Sequence, residues 1–181
     1  MKQTEVVTLT RACTAVSIPQ GDKVLIIKAA PVTITQSLGG SFTVLHRGNL
    51  YRIAGDDADA LGKNPLPKPT LPDDAKEHEV EDIIWKQMET CFDPEIPINI
   101  VDLGLVYKCE IDKLSDGKID VFVQMTLTAP GCGMGDILAE DVKSKIELVP
   151  IVSKAVVEIV FDPPWTKEKM SDAALLETGI F

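Results

Sequence analysis

Cys132 and the pair Asp93 and Glu95 are the residues with the most chemical promise. Cys132 lies in "TLTAPGCGMGDILAED", flanked by Pro130, Gly131, Gly133 and Gly135. An alternating, strand-like run precedes it and a helix-like run follows. Free backbone N–H groups where a strand gives way to a helix stabilise an anion, which favours thiolate over thiol. The glycines let the backbone approach a ligand closely or take positive φ. A plainer reading uses the same residues: a tight strand-to-helix turn needs glycine, and a cysteine can fill a small core gap. "GCGMG" fits neither the dinucleotide fingerprint nor the phosphate loop with its Lys-Ser/Thr. A serine-hydrolase elbow would need a histidine partner, and the chain has only two histidines.

Asp93 and Glu95 stand in "FDPEIP", two carboxylates fixed between prolines. They are suited to accepting backbone N–H groups, positioning a thiol or contacting a metal. The plainer reading is an Asp-Pro turn after a helix, with Glu95 solvated. The other cysteines, Cys13, Cys91 and Cys109, form no CxxC, and His46 and His78 stand far from all of them in sequence. A closed zinc site, which uses short ligand spacings, is therefore not indicated. Cys109 falls on an apolar strand face and is expected in a core, Cys13 belongs to a β-rich region, and Cys91 reaches the site only through Asp93. No residue set forms an acid/base pair for a small molecule, so no enzymatic activity is expected.

The elements that must hold these residues follow from periodicity. Val80, Ile83, Ile84, Gln87 and Met88 mark a helical stripe, with Glu77, Glu79, Glu81 and Asp82 crowding its start, where the helix dipole favours negative charge. Leu105, Tyr107, Cys109 and Ile111 share one face of a strand. Ser115-Asp116-Gly117-Lys118 is a hairpin turn, and Ile119, Val121, Val123, Met125 and Leu127 line the next strand. Leu138, Val142 and Ile146 make a second helical stripe, "KAVVEIVFD" another strand, and "TKEKMSDAALLETG" a terminal helix that Thr166 could cap. "DPPW" breaks the strand and docks Trp165 on the sheet. The order α-β-β-α-β-α predicts an α+β fold with helices packed on a small, mostly antiparallel sheet.

Ahead of it, "EVVTLT", "VLIIKA", "PVTITQ", "FTVLH" and "LYRIAG" read as short strands, with tight turns at Gly39-Gly40 and Gly48-Asn49. This predicts a small β-rich module over residues 1–62, a proline-rich linker over 63–75 and the α+β domain over 76–181. The 181 residues suffice for a core domain with a small companion. Residues 1–60 carry 6 basic and 5 acidic side chains and residues 61–181 carry 12 and 23, so the acidity belongs to the second part. A net charge of −10 argues against non-specific binding to nucleic acid or an anionic membrane. No apolar run reaches the roughly 18 residues of a membrane span. The opening "MKQTEVVTLTRACTAV" lacks the apolar block of a signal peptide, so a cytoplasmic location is expected.

The stretches "DPEIPINIVDLGLVY", "VQMTLTAPGC" and "VVEIVFDPPW" resemble the PaaD-like metal–sulfur cluster assembly family over most of residues 80–165. The N-terminal part, with "GGSFTVLHRGNLYRIAGDDADALG", is similar to the longer, SufT-type members. The resemblance implies a non-catalytic accessory role in assembling or delivering iron–sulfur clusters to apoproteins. Partners would be iron–sulfur assembly proteins and client apoproteins, with no nucleic acid or membrane. It maps site roles onto Asp93, Glu95, Thr128 and Cys132, with Cys132 and Asp93 the metal-touching pair. Many relatives have proline after this cysteine, where this chain has Gly133. One cysteine per chain cannot hold a cluster with the usual four ligands. A transient cluster or iron would need a homodimer supplying two thiols, a partner's cysteines or a small external thiol. The competing reading is an adaptor that binds no metal and holds assembly components and clients together, and behind it stands a thiol-dependent enzyme of unspecified substrate.

Overall fold

The computed structural model describes residues 4–93, 96–129 and 133–179. They form two compact units, Met1–Pro67 and Lys68–Phe181, each with its own apolar core.

The first unit is a six-stranded antiparallel sheet. Its strands are β1 (Glu5–Thr8), β2 (Cys13–Ile18), β3 (Lys23–Ile26), β4 (Pro31–Leu38), β5 (Ser41–His46) and β6 (Asn49–Ile53), ordered β1-β4-β5-β6-β2-β3. Strand β2 is absent from the sequence reading. Its buried positions are Cys13 and Ala15, small residues that lack the β-branched signature of the other strands. The β5–β6 turn is Arg47-Gly48, one residue earlier than expected, because His46 pairs with Asn49. A 3-10 segment, Gly55–Leu61, buries Ala58, Ala60 and Leu61 against the sheet core, and Arg11 ties it down through Asp57 and Asp59.

In the second unit α1 (Glu77–Glu89) leads to β7 (Val106–Lys113), β8 (Ile119–Met125), α2 (Gly135–Glu147), β9 (Val152–Ile159) and α3 (Asp172–Thr178). The order α-β-β-α-β-α is as the periodicity predicts. Glu79 accepts the Lys76 backbone N–H at 2.7 Å and so closes the first turn of α1. The three-stranded sheet runs β7-β8-β9. Its β7–β8 pair is antiparallel, whereas β8 and β9 are parallel because α2 crosses back between them. Every other strand pairing described in the chain is antiparallel. One face of β8 (Ile119, Val121, Val123, Met125) packs in the same core as Val80, Ile84 and Met88 of α1 and Leu138, Val142 and Ile146 of α2. Each such side chain removed from water contributes about 1.5–3 kcal/mol.

Two local expectations give way to geometry. A register shift between Val106 and Lys108 takes Tyr107 off the face it was expected to share with Cys109 and Ile111. Its hydroxyl instead donates to the Pro163 carbonyl at 2.9 Å. The terminal helix is capped by Ser171, whose Oγ accepts the Ala174 N–H at 3.2 Å, while Thr166 precedes a separate 3-10 turn, Lys167–Lys169. The serine stands at the position where a side-chain oxygen reaches the third N–H of the helix.

Candidate functional site

The segment between α1 and β7 is knitted to the sheet by backbone bonds. The Ile100 N–H donates to Cys91 at 2.9 Å and the Leu105 N–H to Ile100 at 2.9 Å. The Thr126 N–H, just past β8, donates to Leu105 at 2.8 Å. This relay puts the Cys91–Asp93 stretch and the C-terminal end of β8 on one side of the domain. At the far end of α1, the Lys145 ammonium of α2 donates to the Thr90 carbonyl at 2.6 Å and pairs with Asp141 at 3.2 Å. An otherwise open carbonyl at the helix C-terminus thereby receives a charged donor.

Asp93 is only 8% exposed. Its Oδ1 accepts the Ile96 N–H at 2.9 Å, and its own N–H donates to Ile98 at 3.3 Å. The carboxylate thus organises the turn it sits in, as the Asp-Pro reading has it. Next, Asn99 Oδ1 accepts the N–H groups of Val101 (3.0 Å) and Asp102 (2.8 Å), and its Nδ2 donates to Asp102 at 2.6 Å. The other Asp102 oxygen accepts Ser171 Oγ at 2.8 Å, which joins this loop to the cap of α3. Trp165 Nε1 donates to the Leu103 carbonyl at 2.7 Å. Gly104 takes φ +67°, and a Cβ there would lie 2.0 Å from the Lys169 carbonyl oxygen. Much of "NIVDLGLVY" is therefore the seat of the C-terminal segment.

Of the residues singled out from the sequence, the structure describes Asp93, which is buried, and Thr128, which is half-buried three residues past the end of β8. Cys132 and Glu95 lie outside the described residues. The chain between β8 and α2 carries Cys132, and α2 begins at Gly135, against which Leu127 packs. Among the described residues no three His, Cys, Asp or Glu side chains are grouped to hold a metal ion. The remaining cysteines are packed. Cys91 is fully buried and its thiol donates to Gln87 at 3.7 Å. Cys13 is buried in the first unit, where burial pushes its thiol up. Burial, with Glu81 nearby, pushes the Cys109 thiol up to about 11.

Sequence reasoning passed over Thr126. The alternation of Met125 and Leu127 assigns it to the opposite, solvent-facing side of the strand, yet it is 1% exposed. Nothing in the pattern signals that burial. The Asn99–Asp102 loop did carry a signal, since Asn and Asp spaced for backbone-mimicking turns precede Gly104.

Known proteins are similar to this chain. A family model described as "Iron-sulfur cluster assembly protein" matches residues 81–159, all within the second unit. An Fe-S protein maturation auxiliary factor of Porphyromonas gingivalis is 42% identical over 101 residues, 56% of this chain and 92% of its own length. The Fe-S protein maturation auxiliary factor SufT of Staphylococcus aureus is 42% identical over 88 residues, 49% of this chain and 96% of its own. A solved domain of unknown function from Bacillus anthracis, 33% identical, covers 57% of this chain and 95% of its own, with a TM-score of 0.49.

Proposed function

This chain belongs to the iron–sulfur cluster assembly protein family, and from that membership we propose that it is an accessory factor in iron–sulfur protein maturation. Its role is non-catalytic: it holds assembly components and client apoproteins together in the cytoplasm. The observation that carries this is the 42% identity to a maturation auxiliary factor across 92% of that protein's length. The acid excess of the second part suits contacts with basic protein surfaces rather than with nucleic acid. No helix among the described residues is long and apolar enough to cross a membrane.

A finer reading gives the factor a transient thiol site, in which Cys132 touches iron or a cluster in transit and Asp93, Glu95 and Thr128 support it. It is favoured by the placement of Cys132 between the end of β8 and the start of α2, three residues before Gly135. Thiolate is the soft ligand that iron–sulfur chemistry selects. One experiment separates the two readings. In cells lacking this chain, activities of cluster-dependent enzymes should fall while their apoproteins persist, and the wild-type chain should restore them. An adaptor keeps full activity in the Cys132→Ser variant at normal abundance, whereas a thiol site loses it. Unchanged enzyme activities on deletion would refute the maturation role itself.

A further inference from the structure

Among the described residues two side-chain oxygens are buried without a hydrogen-bond partner, Asp120 Oδ1 within β8 and Thr126 Oγ1 just past its C-terminal end, and only Thr126 stands at the end of the strand that leads on to Thr128. Thr126 is 1% exposed, and its Oγ1 has no hydrogen-bond partner among the described residues. Enclosing a hydroxyl without a partner destabilises a fold, and native proteins pair the great majority of such groups. Two backbone groups here are engaged: its N–H donates to Leu105, and the preceding Met125 carbonyl accepts the Val160 N–H at 2.8 Å. Backbone bonds thus tie this point of the chain on both sides, to the residue before β7 and to the residue after β9. A valine there would fill the same space without the penalty.

Its position gives the unused group a purpose. The relay from Thr126 through Leu105 and Ile100 ends at Cys91, two residues before the buried Asp93. Two residues beyond Thr126 in the chain stands Thr128. We infer that Thr126 is a site residue whose hydroxyl is kept in reserve as a hydrogen-bond donor, meeting an acceptor (a carbonyl, a carboxylate or a sulfur ligand) that arrives when this end of the domain engages its partner or cargo. This rests on the maturation role proposed above. Thr126 orients what is received and carries out no chemistry, so it is a positioning residue.

The test compares Thr126→Val and Thr126→Ser with wild type in the full chain. Melting temperature and cellular abundance are measured beside the activity of cluster-dependent enzymes in cells lacking this chain. Removing an unpartnered hydroxyl should leave the melting temperature of Thr126→Val equal to or above that of wild type. Its support of enzyme activity should fall roughly five- to tenfold, the size of one hydrogen bond's contribution to binding. Thr126→Ser, which keeps the hydroxyl, should retain activity even where the lost methyl lowers the melting temperature. A lower melting temperature for Thr126→Val would show that the hydroxyl is paired within the fold, and would overturn the inference. So would unchanged enzyme activity. Failure of the wild-type chain to restore the enzymes would overturn the maturation role and this inference with it, and only in that case would the control itself fail.

Discussion

Replacing Gly104 with alanine tests how the C-terminal segment is seated, and the structure supplies its own control. Gly104 (φ +67°) and Gly117 (φ +82°) both take the left-handed conformation. An alanine at either position bears a backbone cost of about 1 kcal/mol. At Gly117 nothing lies within 4 Å of the added Cβ, so that cost is the whole effect. At Gly104 the Cβ would sit 2.0 Å from the Lys169 carbonyl oxygen, and 2.6 Å from the carbonyl carbon. Carbon and oxygen need roughly 3.3 Å. The obstacle is backbone, so residues 165–171 must move by more than an ångström or Gly104 must leave its turn. Overpacking of this kind costs about 1–3 kcal/mol, which brings Gly104→Ala to about 2–4 kcal/mol in total. For a domain of this size that is a melting temperature lower by roughly 8–16 °C, against about 4 °C for Gly117→Ala.

Both tryptophans, Trp85 and Trp165, belong to the second unit, so their fluorescence follows the relevant transition. Gly104→Ala should also redden the emission before melting, because shifting the segment breaks the Trp165–Leu103 hydrogen bond. Gly117→Ala should leave the emission unchanged. Equal losses for the two variants would refute the reasoning, since they would mean that the Lys169 backbone does not press on Gly104.

Lys145→Met should cost about 1–3 kcal/mol in denaturant melts, because it leaves the Thr90 carbonyl without its charged donor. That loss should differ little between low and high salt, as the Lys145 and Asp141 side chains are both largely shielded, at 15% and 13% exposure. The Cys109 thiol, pushed up from 9.0 to about 11 in the folded protein, keeps its proton where the unfolded chain has lost it. Its contribution is therefore complete below about pH 9 and declines as pH rises toward 11, and Cys109→Ala should remove that part of the slope in melts across this range.

The parts of the fold legible in the sequence are those governed by local periodicity. Val80, Ile84 and Met88, and then Leu138, Val142 and Ile146, announce their helices because a buried stripe must repeat with the helical turn. The same logic gives β8 by strict alternation. It misses β2, where cysteine and alanine fill the buried positions and give no β-branched signal. It misplaces Tyr107, because a register shift reverses the alternation without any mark in composition. Local pattern offers Thr166 as the cap of α3, whereas the helix starts later, at Asp172, and Ser171 caps it. Ser171 is the one that also bonds to Asp102, a contact 69 residues away in sequence that no local pattern contains.

The candidate site divides along the same line. The stretch "DPEIPINIVDLGLVY" invites the view that all of it serves one chemistry, but among its described residues the polar atoms have separate occupations. Asn99 and Asp102 bind one another, the loop backbone and Ser171. Gly104 makes room for Lys169, and Leu103 lends its carbonyl to Trp165. These residues are explained by stability and say nothing about cargo. Asp93 also has a local task in the Ile96 turn, which makes its carboxylate a poor sole anchor for a metal. Thr126 differs from all of them: its hydroxyl is enclosed, performs no structural task and survives where valine would fit. A residue retained against stability is better evidence of function than one retained for it. Within the described part of the molecule, Thr126 is therefore the residue on which we rest the proposed site at this end of the sheet.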